Sequence, residues 1–510
     1  MLTPLLKLLK RSKQKKVNTK QDMPNPMMDL QEQAIRRNLQ TNLDILKKMY
    51  NSPDNKDVKF RDIHVKGVNK QVTVLFISTI TDIKTIEMHV LKPLLSNNDG
   101  NTTIQDLISV QNIKKVESIR DILQEVNNGN AAVLVENQSE AYIAECSNIQ
   151  ARSIGIAEDE VLLKGPKEAF VEKAFTNISL IRKKIKNESL VVDSVVVSKR
   201  SKNEVFILYQ KDIANEHLVN DIKYRLKKLD TNAIQNLGIL EQFIEERKTS
   251  IFPTCLYTER PDRAASFIED GNIVLLMDNS PASLVLPATF WTFFHTPEEH
   301  YLRFPYGNIT RLLRAFALFT TLFTSATYIA ITNYHAEMIP ADLLLAIASA
   351  RERVPFPAIV EIIIMEIAFE LIREAGLRVP SPIGPTIGIV GAIILGQAAV
   401  EANIISPIII IIVSLGGLSS FAISDVSLNF AIRILRFLFI LSAGFFGIYG
   451  MPSLFIIGLL YLVSLKSFGV PYFSPMTPKY RSSEDTVFRK LLQNEKWRPG
   501  YLRPNDMKKR

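Results

Sequence analysis

The chain has 510 residues, with 61 Lys+Arg against 52 Asp+Glu, a net charge of +9, 47% hydrophobic residues and two cysteines. The charge is unevenly spread: residues 1–310 hold 42 basic and 39 acidic side chains, residues 315–465 only 6 and 9, and residues 466–510 hold 11 and 4. This excludes a single soluble enzyme, and equally a protein built only of membrane helices.

The first twenty residues carry seven basic side chains and no acid. Leu5-Leu6-Lys7-Leu8-Leu9 is interrupted by lysine and too short for the apolar core of an export signal. Residues 1–30 therefore read as a basic flexible arm able to touch anionic membrane lipid, and the large region after it is expected in the cytosol. Cys146 and Cys255 stand far apart with no Cys or His at ligand spacing, so they read as reduced core thiols.

From Gln31 to Gly307, strand-like and helix-like segments alternate. Val72–Ile80, Ala131–Val135, Leu190–Val197, Val205–Tyr209 and Ile273–Met277 are apolar and β-branched, which predicts buried strands. Glu168–Lys186 places Phe170, Ala174, Phe175, Ile178, Ile181 and Ile185 on one helical face. The pattern predicts an α/β (or α+β) cytosolic domain of two subdomains, residues 31–160 and 161–310. Gly129-Asn130 and Gly271-Asn272, 142 residues apart, each precede a strand, a tight turn and a returning strand. Chance accounts for such an echo as readily as an internal repeat does.

Chemistry is sparse in this half. No phosphate-binding glycine loop, nucleophile elbow or HExxH motif is present. His295 and His300 flank Glu298 and Glu299, but Pro297 opening a short helix with acids in its first turn explains them without a metal. No enzyme activity, cofactor or metal is expected, and an excess of three positive charges over residues 1–310 is too small to suggest nucleic acid.

Residues 311–466 read as an all-α polytopic membrane domain of four to six helices, followed by a basic cytosolic tail, 467–510. Ala315–Ala336, Val379–Val400, Ala402–Ser424 and Phe437–Leu465 lack any charge, and each exceeds the roughly 20 residues that cross a bilayer core. Flanking charge puts both termini in the cytosol, which requires an even number of crossings. Six crossings need Ile359–Arg373 to span and the last stretch to split at Gly450-Met451-Pro452. Glu361, Glu366 and Glu370 lie among apolar residues, and Glu366, Glu370 and Glu374 share a face. Carboxylates facing lipid are costly, so this face is expected to meet water, an ion path or a partner, unless the segment lies on the membrane surface. Gly384, Gly388 and Gly391, with Gly444, Gly447 and Gly450, offer small surfaces for close helix approach. Pro380, Pro382, Pro385 and Pro407 are expected to break or kink spans, making Pro407 a gating candidate with those glycines.

An ordered series of motifs carries a resemblance. It includes Phe252-Pro253, Thr258-Glu259-Arg260-Pro261-Asp262, Leu286-Pro287-Ala288-Thr289-Phe290 and Pro297-Glu298-Glu299 with Arg303-Phe304. It continues through Glu337-Met338-Ile339-Pro340, Val354-Pro355-Phe356-Pro357, Glu374-Ala375-Gly376-Leu377-Arg378 and Gly396-Gln397-Ala398-Ala399-Val400-Glu401-Ala402, ending at Ser467-Phe468-Gly469-Val470-Pro471-Tyr472. Gly165-Pro166, Glu168, Phe170, Asn177 and Arg182 match a junction between two subdomains, with Lys164 where arginine is expected. From about residue 60 to 480 the chain resembles the A subunits of GerA-type spore germinant receptors. The resemblance implies a subunit in the spore inner membrane, partnered by a transporter-like B subunit and a lipoprotein C subunit. It implies a part in converting nutrient sensing into ion release, as a homo-oligomeric cation channel or as a non-conducting scaffold. A related sporulation membrane protein shares the same motifs. An independent transporter is disfavoured, because no inverted repeat is visible.

Overall fold

The computed structural model describes residues 33–100, 102–148, 157, 160, 162–378, 384–482 and 485–509. The basic arm 1–30, Pro380 and Pro382 lie outside the described residues. The chain forms two compact units, Met1–Ile149 with Lys186–Glu188, and Gln150–Ile185 with Ser189–Arg510.

The first unit begins with helix α1 (Leu39–Met49), capped by the Asn38 side chain accepting from the Gln40 and Thr41 amides. Leu39, Leu43, Leu46 and Met49 form its buried stripe. Strands β1 (Val58–Val65), β2 (Lys70–Ile77) and β3 (Ile113–Val116) precede helix α2 (Ile119–Asn127), then β4 (Ala131–Val135) and β5 (Ala141–Ala144). They make one antiparallel sheet in the order β1-β2-β4-β5-β3. Strand side chains alternate between faces, so Val72, Val74 and Phe76 enter one core while Leu75 and Ile77 enter the other.

The second unit starts with a sheet of the same plan. After helix α3 (Ala174–Lys184) come β6 (Leu190–Val197), β7 (Asn203–Gln210), helices α4 (Glu216–Lys227) and α5 (Leu237–Ile244), β8 (Leu256–Thr258), helix α6 (Pro261–Asp270), β9 (Ile273–Met277) and β10 (Ser283–Leu286). The strand order β6-β7-β9-β10-β8 reproduces the first sheet position for position. The correspondence reaches single atoms. Asn42 clamps both backbone groups of Arg36, accepting from its amide at 2.9 Å and donating to its carbonyl at 2.6 Å. Asn177 does the same to Val171, at 2.8 and 2.6 Å. The turns between β4 and β5 and between β9 and β10 each hold a left-handed asparagine, Asn137 at φ 60° and Asn279 at φ 61°. Their amides donate to the Arg37 and Glu172 carbonyls. The hairpin echo in the sequence is thus the visible end of a whole repeated subdomain. Phe175, expected on the buried face of its helix, is instead 44% exposed and meets Phe206 edge-on.

The remainder of the second unit is helical: α7 (Phe304–Tyr334), α8 (Ala341–Arg351), α9 (Ala358–Arg378), α10 (Gly384–Glu401), α11 (Pro407–Ser420) and α12 (Val426–Ser464). One apolar core runs from the inner face of the second sheet (Val192, Phe206, Leu208, Leu276) into these helices (Ile362, Ile409, Leu428, Ile440). Among the described residues, α7 and α12 are long and apolar enough to cross a membrane. The expected 402–424 span yields only the 14-residue α11. At about 1.5 Å per residue it reaches roughly 21 Å, short of a bilayer core. Pro407 does not kink a span; it sits at the first helical position of α11, where its missing N–H has no intrahelical role.

Helix α12 breaks at Gly447 (φ 60°, ψ −144°), three residues before the expected split. Pro452 cannot bond the carbonyl four residues back, at Ile448, so the ladder fails beside Gly447. A Cβ there would lie 3.0 Å from the Tyr334 ring, and the Tyr334 hydroxyl donates to the Gly444 carbonyl at 2.6 Å. Gly447→Ala is expected to lower stability by about 1–3 kcal/mol, since it meets both left-handed strain and this contact. A thermal melt of the detergent-solubilised chain unchanged from the parent would contradict this.

Two strands after α12, β11 (Lys466–Ser467) and β12 (Val470–Pro471), turn the chain back onto the second sheet. Ser467 Oγ donates to the Thr254 carbonyl (2.7 Å) and accepts from the Ala288 amide (3.1 Å). Tyr472 is fully buried beside Phe252 and Phe293.

Candidate functional site

Helix α9 carries the three acids singled out from the sequence; Glu361 meets an arginine of α8, and Glu366 and Glu370 meet arginines of α12. Glu361 is fully buried; its carboxylate accepts from the Ser406 amide at 2.9 Å and lies 3.4 Å from Arg351 Nε. Glu366, also fully buried, accepts from Ser325 Oγ on α7 at 2.8 Å and pairs with Arg436 of α12 at 2.8 Å. Glu370 accepts from Arg436 at 2.8 Å and from Arg433 Nε at 3.0 Å. Five residues separate Glu361 from Glu366, about 140° around a helix, so the two serve different neighbours. Four separate Glu366 from Glu370, so both reach the Arg433/Arg436 face of α12. Arg373 takes none of these acids; it donates to the Gly417 carbonyl (3.1 Å) and to Ser420 Oγ, between the Phe369 and Phe421 rings.

Small residues of α11 permit this approach. A Cβ on Gly417 would lie 2.6 Å from the Phe369 ring, and one on Gly416 would lie 3.9 Å from Arg436. Gly444 of α12 sits against Ile359, where a Cβ would overlap Cδ1 at 2.1 Å. Gly391 is less constrained, because a Cβ would sit at an ordinary 3.9 Å from Ile372. Gly384 opens α10 and Gly388 follows one turn later.

A second charged cluster surrounds the base of α7 and includes residues the sequence did not point to. Glu299, 1% exposed, pairs with Arg311 and Arg314. Asp485 reaches Arg311 from the C-terminal segment, and Arg489 donates to the Glu299 and Leu302 carbonyls. Burial opposes ionisation of Glu299, yet Arg311 and Arg314 hold its carboxyl below the usual range. Asp485 is likewise held down against burial by His295 and Arg311. The acids of the short helix Glu298–Tyr301 therefore do more than cap it. His295 Nε2 donates to the Thr486 carbonyl at 2.6 Å. Burial, then Arg311, pushes its pKa down to about 4.

This sets a pH dependence. A histidine with a lowered folded pKa binds fewer protons than in the unfolded chain, so it favours folding fully above about 6.5 and loses that contribution as pH falls toward 4. The lowered Glu299 and Asp485 act in the same direction at still lower pH. The loss of stability that His295 contributes between pH 6.5 and 4 is expected to be on the order of 2 kcal/mol. His295→Gln should flatten that slope, and a slope left intact would refute the assignment.

The motif Thr258–Asp262 explains itself nearby. Arg260, 1% exposed, donates to the Pro166 carbonyl at 2.7 Å and pairs with Asp262 at 2.9 Å. Asp262 accepts from the Tyr301 hydroxyl at 2.7 Å. Gly165 (φ 140°) lies under that ring, where a Cβ would come within 2.8 Å of it. Both cysteines are buried and free. Glu241, Glu245 and Cys255 bring ligand-type atoms within 4.8 Å of one another. Glu245 is already engaged by the Thr254 amide and hydroxyl, and burial holds the Cys255 thiol protonated, so the group is a poor cation site.

Residues 44–501 match the family described as Bacillus/Clostridium GerA spore germination protein. Spore germination protein KA of Bacillus subtilis is 36% identical over 458 residues, covering 88% of this chain and 84% of that protein. The uncharacterized membrane protein YfkQ of the same organism is 35% identical over 487 residues, 94% of each. The crystal structure of the N-terminal domain of the A subunit of the Bacillus megaterium spore germinant receptor GerK3 aligns with 51% of this chain and 98% of its own, at 25% identity and a TM-score of 0.40. Matched over nearly its whole length and more than a third identical to such relatives, the chain belongs to the GerA family of spore germination proteins.

Proposed function

We propose that the chain is the membrane-embedded A-type subunit of a nutrient germinant receptor, and that its helices form the cation path opened when nutrient is sensed. The observation carrying this reading is the set of three α9 acids, Glu361 and Glu366 fully buried and Glu370 half-buried, among helices of which two in the described residues are long enough to cross a bilayer. Ionisable groups at such depth are costly and mark ion routes or charge-coupled movement. In this reading each glutamate is released from its arginine on activation. The path lies in a homo-oligomer held in the spore inner membrane with both termini cytosolic. A transporter-like B subunit binds nutrient, a lipoprotein C subunit completes the receptor, and Gly384, Gly388 and Gly391 allow the helices to shift.

One observation favours a second reading, a non-conducting scaffold or related sporulation membrane protein. Every one of the three acids already has an arginine partner within the chain, and paired charges can serve structure alone. Spores carrying Glu370→Gln separate the two. The channel reading expects cation release after nutrient addition to slow at least several-fold, with the receptor still assembled; unchanged release supports the scaffold.

A further inference from the structure

The second subdomain and the returning C-terminal segment enclose a cleft of about 420 Å³, a size suited to a small molecule. Phe267, Trp291, Tyr301 and Tyr501 contribute aromatic walls. Four lining atoms are buried without a hydrogen-bond partner among the described residues, Asp262 Oδ1, Asp270 Oδ1, Trp291 Nε1 and Glu495 Oε1, and two of the residues that carry them are more than nine-tenths buried. Trp291 is 7% exposed with no acceptor for its Nε1–H, and Glu495 is 9% exposed with no donor to Oε1. Buried polar groups of this kind are normally partnered, so each asks for a ligand or water.

The other charges of the cleft each have an ion-pair partner in the protein, although Asp262 Oδ1 accepts no hydrogen bond. Asp262 is held by Arg260 and Tyr301, Asp270 by Lys509 at 2.8 Å, and Asp485 by Arg311. Arg263 divides its donors between Glu160 and the Thr292 and His295 carbonyls. The cations are thus spent on protein partners, which disfavours an anionic ligand. What remains is carboxylate oxygens seeking donors on Glu495 and Asp262, aromatic surfaces that attract cations, and one N–H seeking an acceptor. We infer that the cleft is a binding site for a small organic ammonium compound bearing a hydrogen-bond acceptor. Its ammonium would be taken by Glu495 and its acceptor by Trp291 Nε1.

Ethanolamine is a suitable probe, with ethylene glycol as its uncharged counterpart. The chain has two tryptophans, so Trp497→Phe leaves Trp291 as sole emitter in the detergent-solubilised full chain. Titration with ethanolamine at fixed pH and ionic strength should give a saturable change in emission, with ethylene glycol at least tenfold weaker. Glu495→Gln should weaken ethanolamine at least tenfold while eluting and melting like its parent. Should that variant misfold, Trp291→Phe read by calorimetry should bind several-fold more weakly. No saturable response, equal binding of ethylene glycol, or unaltered affinity in the folded variants would overturn the proposal and assign the cleft to water alone.

Discussion

Replacing Arg436 with methionine is expected to be among the most damaging single changes in the helical region. Arg436 is fully buried and is the cation shared by Glu366 and Glu370. Methionine preserves apolar volume but leaves the fully buried Glu366 facing a neutral neighbour. Removing one partner of a buried pair is worth about 3–5 kcal/mol because the other charge stays uncompensated. Neutralising both, with Glu366→Gln and Arg436→Met together, should recover at least about 1 kcal/mol relative to the sum of the single changes. Thermal or denaturant unfolding of the solubilised chain measures this. Additive losses would mean that the two residues do not act as a pair.

Arg311→Met should produce the second large effect, at the base of α7. It removes the cation joining Glu299, 1% exposed, to Asp485 of the C-terminal segment. Glu299 keeps Arg314, so the expected loss is nearer 3 than 5 kcal/mol. Its more specific signature is local. Residues 485–509 should become sensitive to protease while the sheet preceding them remains protected. Equal protection of that segment in parent and variant would show that Arg311 does not anchor it.

The strands are legible because burial on both faces writes long β-branched runs: Ala131–Val135, Leu190–Val197 and Ile273–Met277 have in the structure the bounds that the sequence predicts. The repeat was visible only where turn chemistry repeats, at Gly129, Asn137, Gly271 and Asn279. Its asparagine clamps were invisible, since an asparagine in a helix discloses no partner. Phe175 shows the limit of periodicity, which cannot tell a helix's core face from its flank.

In the helices, counting uncharged residues overestimated α11, whose ends are set by a left-handed Asn403 upstream and a turn at Phe421. Arg433 and Arg436 are a second case: the structure pairs them with Glu370 and Glu366. A signal was available: arginines spaced i, i+3 on one apolar helix complement acids spaced i, i+4 on another. The C-terminal acid Asp485 had no such signal, because its partner lies 174 residues away.

Cation flux through the purified chain in liposomes, measured with its oligomeric state, tests the central claim most directly. The ion-path reading predicts a closed oligomer whose flux falls at least several-fold with Glu370→Gln, the least buried of the three acids and so the least dependent on its pairing for folding. An assembled chain that carries no flux, or the same flux with and without Glu370, would contradict it and move conduction to a partner subunit.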